Sequence, residues 1–228
     1  MKVYPRVLSE FDTLRRVAAG VSLARFGDGE LRQADRVCNI KPQVADARLT
    51  ARLREILTDS GGCLVGVPNI HDGGPKHQHW TNYLVYAKWL SERTYGSAFI
   101  TRPDSAPWID TEAYWHLLHS LWVGEDVTLV RGAQKSLTRD DLLRWGARSV
   151  REVLCRPQNA WDDYAAILAE IGTPSRALLC LGPTATVLAV DLCAKGVHAI
   201  DLGHVGMFAK KRERGLPMWV SPQDKVAS

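Results

Sequence analysis

The sequence predicts an α/β fold built on a doubly wound, mainly parallel sheet with helices on both faces. Short apolar segments bounded by Gly or Pro alternate with helical periodicities along the whole chain, and this alternation is typical of parallel sheets joined by crossover helices. The apolar segments have the length of buried strands. There are seven of them, at residues 21–26, 63–68, 98–100, 127–130, 150–155, 177–181 and 199–202.

Between the strands, apolar residues recur three or four positions apart, which predicts helices. The helical groups are Phe11, Leu14 and Val17; Leu49, Leu53, Ile56 and Leu57; Trp161, Tyr164, Leu168 and Ile171; and residues 187–193. Ser9 with Asp12 and Thr138 with Asp141 have the spacing of capping boxes, although Asp replaces the usual Glu or Gln. These two pairs predict helix starts.

Length and composition allow one large domain or two small ones, and because no repeat, low-complexity tract or clear linker divides the chain, we predict one domain over residues 1–228, with 209–228 as a less ordered C-terminal tail. The 228 residues are 46% hydrophobic and 24% charged, which is ordinary for a globular protein. No segment approaches the ~20 apolar residues of a membrane span, and residues 1–6 lack a signal-peptide core, so we expect a cytoplasmic protein. The five cysteines are odd in number and form no C-x-x-C pair, which indicates reduced thiols.

The net charge of +4 is too mild to indicate a nucleic-acid binder, but it is compatible with a small anionic ligand such as a nucleotide diphosphate. The only dense basic run is at residues 210–214, and we interpret it as solvated surface.

The segment S-L-A-R-F-G-D-G-E at residues 22–30 takes an apolar strand into an acidic turn. We expect positive φ angles at Gly27 and Gly29, which would let Asp28 and Glu30 converge on one point. Mg²⁺ or Mn²⁺ suits such a sparse site, because these ions keep waters and take one or two carboxylates plus phosphate oxygens. The alternative is an ordinary turn before a helix whose N-terminus carries Asp28 or Glu30.

Other polar groups also follow predicted strands. In a doubly wound sheet, ligands bind at the carboxyl ends of the strands, so these groups are candidates for one site. Residues 182–184 end a strand and open a helix, where backbone N–H groups could hold a phosphate with help from the Thr184 or Thr186 hydroxyl. The alternative is a plain turn capped by Thr184.

A glycine-rich loop after the second strand carries His71, His77 and His79. Their spacing matches no helical zinc signature, so contact of Lys76 or a histidine with substrate phosphate is favoured over metal binding. Trp80 and Trp108 lie near polar loops and are candidates for an exposed stacking surface, with burial in the core as the alternative.

Four segments, taken in order, resemble the bacterial glycosyltransferases of the GT-D fold, which include enzymes that glucosylate serine-rich adhesin glycans. They are residues 22–30, A-F-I-T-R-P at 98–103, L-G-P-T-A-T-V-L-A at 181–189 and A-I-D-L-G-H at 199–204. The resemblance covers nearly the whole chain. It implies a Rossmann-like sheet, a nucleotide-sugar donor and a divalent metal on Asp28 and Glu30.

The resemblance also implies roles by position. Arg25 and Arg102 would face the diphosphate, and Gly182, Pro183 and Thr184 would line the donor pocket. Asp201 and His204 would border the reacting centre and are the catalytic candidates, and Asp72 is a further candidate base. The sequence departs from the family pattern after the fourth strand, where Arg131 replaces an acid and the loop to Asp141 is shorter and poorer in glycine.

The resulting hypothesis is a glycosyltransferase that uses Mn²⁺ or Mg²⁺ to move a hexose from a nucleotide-diphosphate sugar, with a UDP-sugar favoured, to a glycan or another hydroxyl acceptor. The first alternative is a metal-dependent hydrolase of nucleotide or phosphorylated substrates. The second is a non-catalytic nucleotide-sugar binding module, which the change at Arg131 keeps open. The sequence leaves the oligomeric state open, with a homo-oligomer among the alternatives.

Overall fold

One seven-stranded sheet forms the centre of the computed structural model, which describes residues 3–71, 81–132 and 136–218. The strands are β1 Leu23–Arg25, β2 Leu64–Val67, β3 Gly96–Ser97, β4 Asp126–Arg131, β5 Ser149–Leu154, β6 Arg176–Cys180 and β7 His198–Asp201. Their order is β3-β2-β1-β7-β6-β4-β5, and each pairing between them is parallel. The parallel, doubly wound sheet predicted from the sequence is confirmed.

Eight α-helices precede, connect or follow these strands in the described residues. They are α1 Glu10–Ala18, α2 Asp28–Asp35, α3 Ala47–Thr58, α4 Glu112–His119, α5 Arg139–Arg144, α6 Tyr164–Ile171, α7 Pro183–Cys193 and α8 Val205–Glu213. Short 3-10 helices cover Asn82–Trp89, Ala98–Thr101, Pro107–Ile109 and Ala160–Asp163. No helix in the described part of the chain has the length and hydrophobicity of a membrane span.

Both predicted capping pairs lie at helix starts. Ser9 Oγ accepts a hydrogen bond from Asp12 N at 3.1 Å and so caps α1. Thr138 Oγ1 accepts from Asp141 N at 3.2 Å, and Asp141 Oδ2 accepts from Thr138 N at 3.0 Å, which completes a capping box on α5. The five cysteines are free thiols, as predicted.

Asp141→Asn is expected to lower the free energy of unfolding at pH 7 by ~1–2 kcal/mol, because the carboxylate also pairs with Lys210 Nζ at 2.6 Å. Burial opposes ionisation of Asp141, but hydrogen bonds from Lys210 and Thr138 outweigh it and hold its pKa below the ordinary 3.8. The stabilisation is therefore present above the unfolded-state pKa and is lost as the pH falls through the folded-state pKa. Urea titrations of both proteins between pH 7 and pH 2 measure this, and a difference that grows in acid would contradict it.

Two local predictions were wrong. Residues 98–100 form part of a 3-10 helix, and strand β3 precedes them at Gly96–Ser97. The strand ends there because Ser97 Oγ accepts from Phe99 N at 3.1 Å and caps the turn. Residues 209–213 belong to helix α8 rather than to a tail, since Phe208 and Ala209 are buried against the core. Residues 219–228 lie outside the described residues.

Helix α7 begins at the carboxyl edge of the sheet, directly after strand β6. Only Leu181 and Gly182 separate it from β6, and it is buried along almost its whole length. Such a buried helix lies between other layers of the fold and cannot shift freely. Its N-terminus therefore holds a fixed position beside the carboxyl ends of β1 and β7.

Candidate functional site

A cavity of about 810 Å³ opens at the carboxyl ends of the central strands. Its lining includes residues 27–30 after β1, 181–183 after β6, and Gly203 and His204 after β7. Both its volume and its place in the sheet are typical of small-molecule sites in doubly wound folds. The strand ends selected from the sequence therefore meet at one pocket.

Eight of the nine candidate site residues line this cavity. They are Arg25, Asp28, Glu30, Arg102, Gly182, Pro183, Asp201 and His204. Thr184 is the exception, since it is fully buried inside the first turn of α7 and is not part of the lining. Its Oγ1 has no hydrogen-bond partner in the described structure, and Gly182 precedes helix α7 as an N-cap without a side-chain hydrogen bond, so the alternative of a turn capped by Thr184 was wrong.

Asp28 and Glu30 lie in the first turn of helix α2, and Glu30 Oε2 accepts a hydrogen bond from Gly27 N at 2.9 Å. The expected positive φ angles were wrong, because Gly27 has φ −86° and Gly29 is helical. Side chains at these two positions would require their neighbours to shift. A Cβ on Gly29 would lie 2.8 Å from Ile40 Cδ1, and one on Gly27 would lie 3.0 Å from Glu30 Oε2. The helix-start alternative thus describes the backbone correctly, and it leaves both carboxylates at the cavity.

The carboxylate of Glu30 is unusually basic. Burial, followed by the nearby negative charge of Asp201, raises its pKa to about 7. Burial also raises the pKa of Asp201, which is 3% exposed. Negative charge is therefore concentrated in a poorly solvated space, which favours binding of a cation.

Arg25 is a clamp between strands rather than a free cation. Its Nε donates to Asp201 O at 2.8 Å, its Nη1 donates to Ala98 O at 3.0 Å, and its Nη2 lies 3.5 Å from Asp201 Oδ1. A Cβ on Gly203, whose φ is +49°, would overlap the Arg25 guanidinium. The predicted contact of Arg25 with a diphosphate would have to share a guanidinium that already binds these groups.

Arg102 forms a bidentate pair with Asp104, at 2.7 Å through Nε and 2.9 Å through Nη2. Burial alone would lower the pKa of Arg102, but the bonds to Asp104 and the nearby carboxylates of Asp28 and Glu30 raise it. Asp104 lines the cavity and was missed in the sequence. The sequence feature that could have identified Asp104 is its position two residues after Arg102, which follows a predicted strand.

The carboxylates near Asp28 and Glu30 are not all neutralised by neighbouring arginines. Arg25 offsets Asp201 and Arg102 offsets Asp104, while Asp28 and Glu30 have no ion-pair partner among the described residues. Two unpaired carboxylates match the charge of one divalent cation. No group of three or more His, Cys, Asp or Glu side chains in the described ranges could hold a metal, so an ion here would take two protein ligands and fill its shell with other oxygens. Mg²⁺ and Mn²⁺ fit that donor set.

The two catalytic candidates, Asp201 and His204, differ in their exposure and in their hydrogen bonds. Asp201 accepts hydrogen bonds from Gly203 N at 3.1 Å and from Thr186 Oγ1 at 3.4 Å, besides its contact with Arg25. His204 is exposed at the mouth of the pocket. Desolvation by the pocket walls, and then the charges of Arg25 and Arg102, lower the pKa of His204, which favours the neutral imidazole that can accept a proton.

Other parts of the cavity lining were not predicted. The segment 40–43 and helix α8 contribute Ile40, Lys41, Pro42, Gln43, Met207, Phe208 and Lys211. The lining also includes Gly132, Ser136, Arg156, Pro157, Ala160, Cys180 and Met218. The face 204, 207, 208 and 211 of α8 had a helical spacing that could have been noticed. The segment 40–43 has no periodicity or motif that would have identified it.

Several other sequence predictions lie outside the pocket or outside the described residues. Asp72, Lys76, His77, His79 and Trp80 belong to the undescribed segment 72–80, and His71 beside it is exposed. Trp108 is 39% exposed, but its Nε1 donates to Glu10 Oε2 at 3.2 Å and it is not part of the lining. Arg131 is held by Glu152 at 2.6 Å and is not part of the lining, although its neighbour Gly132 is.

The chain is similar in sequence to known glycosyltransferases. The family described as glycosyltransferase GT-D fold matches residues 23–209. The chain is 32% identical to the probable glycosyl transferase Gly of Streptococcus gordonii over 82% of its own length and 30% of the relative's. It is 30% identical to glycosyltransferase GlyD of Streptococcus pneumoniae serotype 4 over 81% of its own length and 25% of the relative's. The chain thus spans less than a third of either relative.

Solved structures are similar over almost the whole chain. One is of the domain of unknown function 1792, described as having a distinct glycosyltransferase fold; it has a TM-score of 0.82 and 32% identity, covering 96% of this chain and 85% of that one. Another, described as a new glycosyltransferase from Streptococcus sanguinis, has a TM-score of 0.80 and 31% identity, covering 92% and 85%.

Proposed function

Because the chain belongs to the glycosyltransferase GT-D fold family, we propose that it transfers a sugar from a nucleotide-diphosphate sugar to a hydroxyl of a glycan or another acceptor. The favoured donor is a UDP-sugar, and the favoured cofactor is Mn²⁺ or Mg²⁺ on Asp28 and Glu30.

One observation supports this proposal above the others, namely the pair of uncompensated carboxylates on Asp28 and Glu30 at the wall of a ligand-sized cavity. A divalent ion held there would offset the negative charge that grows on a departing nucleoside diphosphate. Arg102 lies beside the same carboxylates and is held in place by Asp104, so its guanidinium can share that charge without rearranging.

For the acceptor, His204 is the better candidate base. Its neutral imidazole is exposed at the pocket mouth, whereas Asp201 is 3% exposed and already accepts from Gly203 and Thr186. A base must come within about 3 Å of the acceptor hydroxyl or act through a water. Asp201 is then a positioning residue for Arg25 and the β7 end.

Asp28→Asn is expected to weaken Mn²⁺-dependent binding of UDP at least tenfold, because it removes one ligand charge at nearly constant volume. Calorimetric titration of UDP, GDP and CDP with Mn²⁺ and with EDTA measures this. Asp140→Asn is the matched control, since Asp140 is exposed on α5 and is not part of the lining. Nucleotide binding that needs no metal and survives Asp28→Asn would overturn the proposed site.

The same preparations separate the alternatives. Release of UDP from UDP-glucose at a rate unaffected by added glycans would favour a hydrolase. Tight binding without turnover over a broad panel of donors and acceptors would favour a binding module, and either result would replace the transferase proposal.

A further inference from the structure

We infer that Lys211 binds a phosphate of the donor, in the same pocket as the acidic pair; this rests on the proposed nucleotide-sugar donor. Lys211 lies on helix α8, in the basic run that the sequence indicated to be solvated surface. It is half-buried and lines the cavity instead.

Lys211 differs from the arginines of the cavity because its charge is not paired with an acid in the described residues. Each arginine of the lining is already paired with an acid: Arg25 with Asp201, Arg102 with Asp104, and Arg156 with Asp162 and Asp163. Lys211 has no acidic partner in the described ranges, and neither has Lys41. The Lys41 side chain is exposed and makes no hydrogen bond in those ranges, so ordering it on a ligand would cost conformational entropy.

The ammonium of Lys211 is held by two hydrogen bonds, and a third N–H group is available for a ligand. Its Nζ donates to Pro217 O and to Met218 O, both at 3.3 Å. The backbone turns back beside the helix at this point, because Leu216 N donates to Lys211 O at 2.9 Å. An ammonium has three N–H donors, so one remains for a ligand among the contacts of the described residues. A charge fixed in this way binds an anion with little loss of freedom.

Helix α8 connects this lysine to the acidic side chains of the pocket. His204, Met207, Phe208 and Lys211 share one helical face and all line the cavity. Seven residues of helix separate His204 from Lys211, about 10 Å along the axis. His204 is close enough to Asp28 and Asp104 for their charges to act on its pKa. The lysine stem and a diphosphate that begins at Asp28 can together bridge this length.

The test is the affinity of Lys211→Met for UDP, UMP and uridine, measured by calorimetry with Mn²⁺ present. Met keeps the long apolar stem and the helix propensity of Lys. Because a hydrogen bond to a charged group is lost, UDP should bind about tenfold more weakly, UMP should lose less, and uridine should be unchanged. Lys211→Arg should restore most of the affinity.

Lys195→Met is the matched control, since Lys195 is an exposed lysine in the turn after α7 and is not part of the lining. It should leave all three affinities unchanged. Unchanged UDP binding in Lys211→Met, with a loss in Asp28→Asn, would overturn the role of Lys211 and leave the proposed function standing. An equal loss for UDP and uridine would also overturn it, because the lysine would then only shape the pocket.

Two further arms complete the design. A loss confined to UDP-glucuronate, with UDP-glucose unaffected, would show that Lys211 binds a sugar carboxylate and would contradict the inference. If the unaltered protein binds none of UDP, GDP and CDP, the proposed function itself fails, and the lysine variant is not needed to show it.

Discussion

Glu30→Gln is expected to lower the rate of sugar transfer by about 10²–10³-fold while the protein becomes more stable at pH 8. A glutamine oxygen can still accept the hydrogen bond from Gly27 N, so the start of helix α2 is kept. The charge offered to a divalent ion is lost. Turnover with Mn²⁺ and UDP-glucose measures the first effect, and urea unfolding in EDTA measures the second.

The stability change has a defined sign. The folded-state pKa of Glu30 is raised to about 7 from an ordinary 4.5, so its favourable contribution is complete below pH 4.5 and is lost as the pH rises through 7. At pH 8 the ionised side chain opposes folding, and the neutral variant should gain ~1–3 kcal/mol. The gain should shrink towards zero as the pH falls below 4.5. Lower stability at pH 8 would contradict the electrostatic account of this site.

A Glu30→Ala variant serves as the control, because it loses the charge and also the bond to Gly27 N. It should lose transfer as Glu30→Gln does, but it should gain less stability, since the cap on α2 contributes roughly 1 kcal/mol. The two variants thereby separate the binding role of Glu30 from its helix-start role, which the sequence left as alternatives.

The parallel sheet and the position of the pocket at its carboxyl edge were predictable because they rest on local patterns. Each apolar segment that became a strand is short and bounded by Gly or Pro, and polar residues follow it directly. Parallel strands bring those residues to one edge of the sheet, which is why Asp28, Arg102 and His204 could be grouped before any contact was known. Strand β3 was misplaced because two residues give too little pattern to identify.

Pairing between side chains could not be predicted in the same way. Whether Arg25 is free or bound depends on β7 and on the turn after β3, which are 176 and 73 residues away in sequence. The contribution of Lys211 depends on the direction of α8 relative to β7 and on residues 216–218, which fold back beside the helix. Such contacts come from tertiary packing, and the sequence shows only that the charges exist.

Arg25→Met is expected to destabilise the protein by ~3–5 kcal/mol, because it leaves the buried Asp201 carboxylate without its cation. Arg25 also donates to the carbonyl oxygens of Asp201 and Ala98, so the ends of β7 and of the turn after β3 lose a shared donor. Urea unfolding at pH 7 measures the loss. If Arg25 were instead a free cation for the diphosphate, nucleotide affinity would fall while stability stayed unchanged.

A double-mutant cycle with Asp201→Asn assigns the cause. The amide can still accept from Gly203 N but carries no charge, so the double variant should be less destabilised than the sum of the single variants, with a coupling of ~1–3 kcal/mol. Arg176→Met is the matched control, since Arg176 also donates to a carbonyl, Leu121 O at 2.7 Å, while its acid Glu125 stays partly solvated. Its cost should be only ~1 kcal/mol, because an exposed carboxylate needs no cation to stay ionised. Equal losses for the two arginines would show that the carbonyl contacts, and not the buried charge of Asp201, determine the effect.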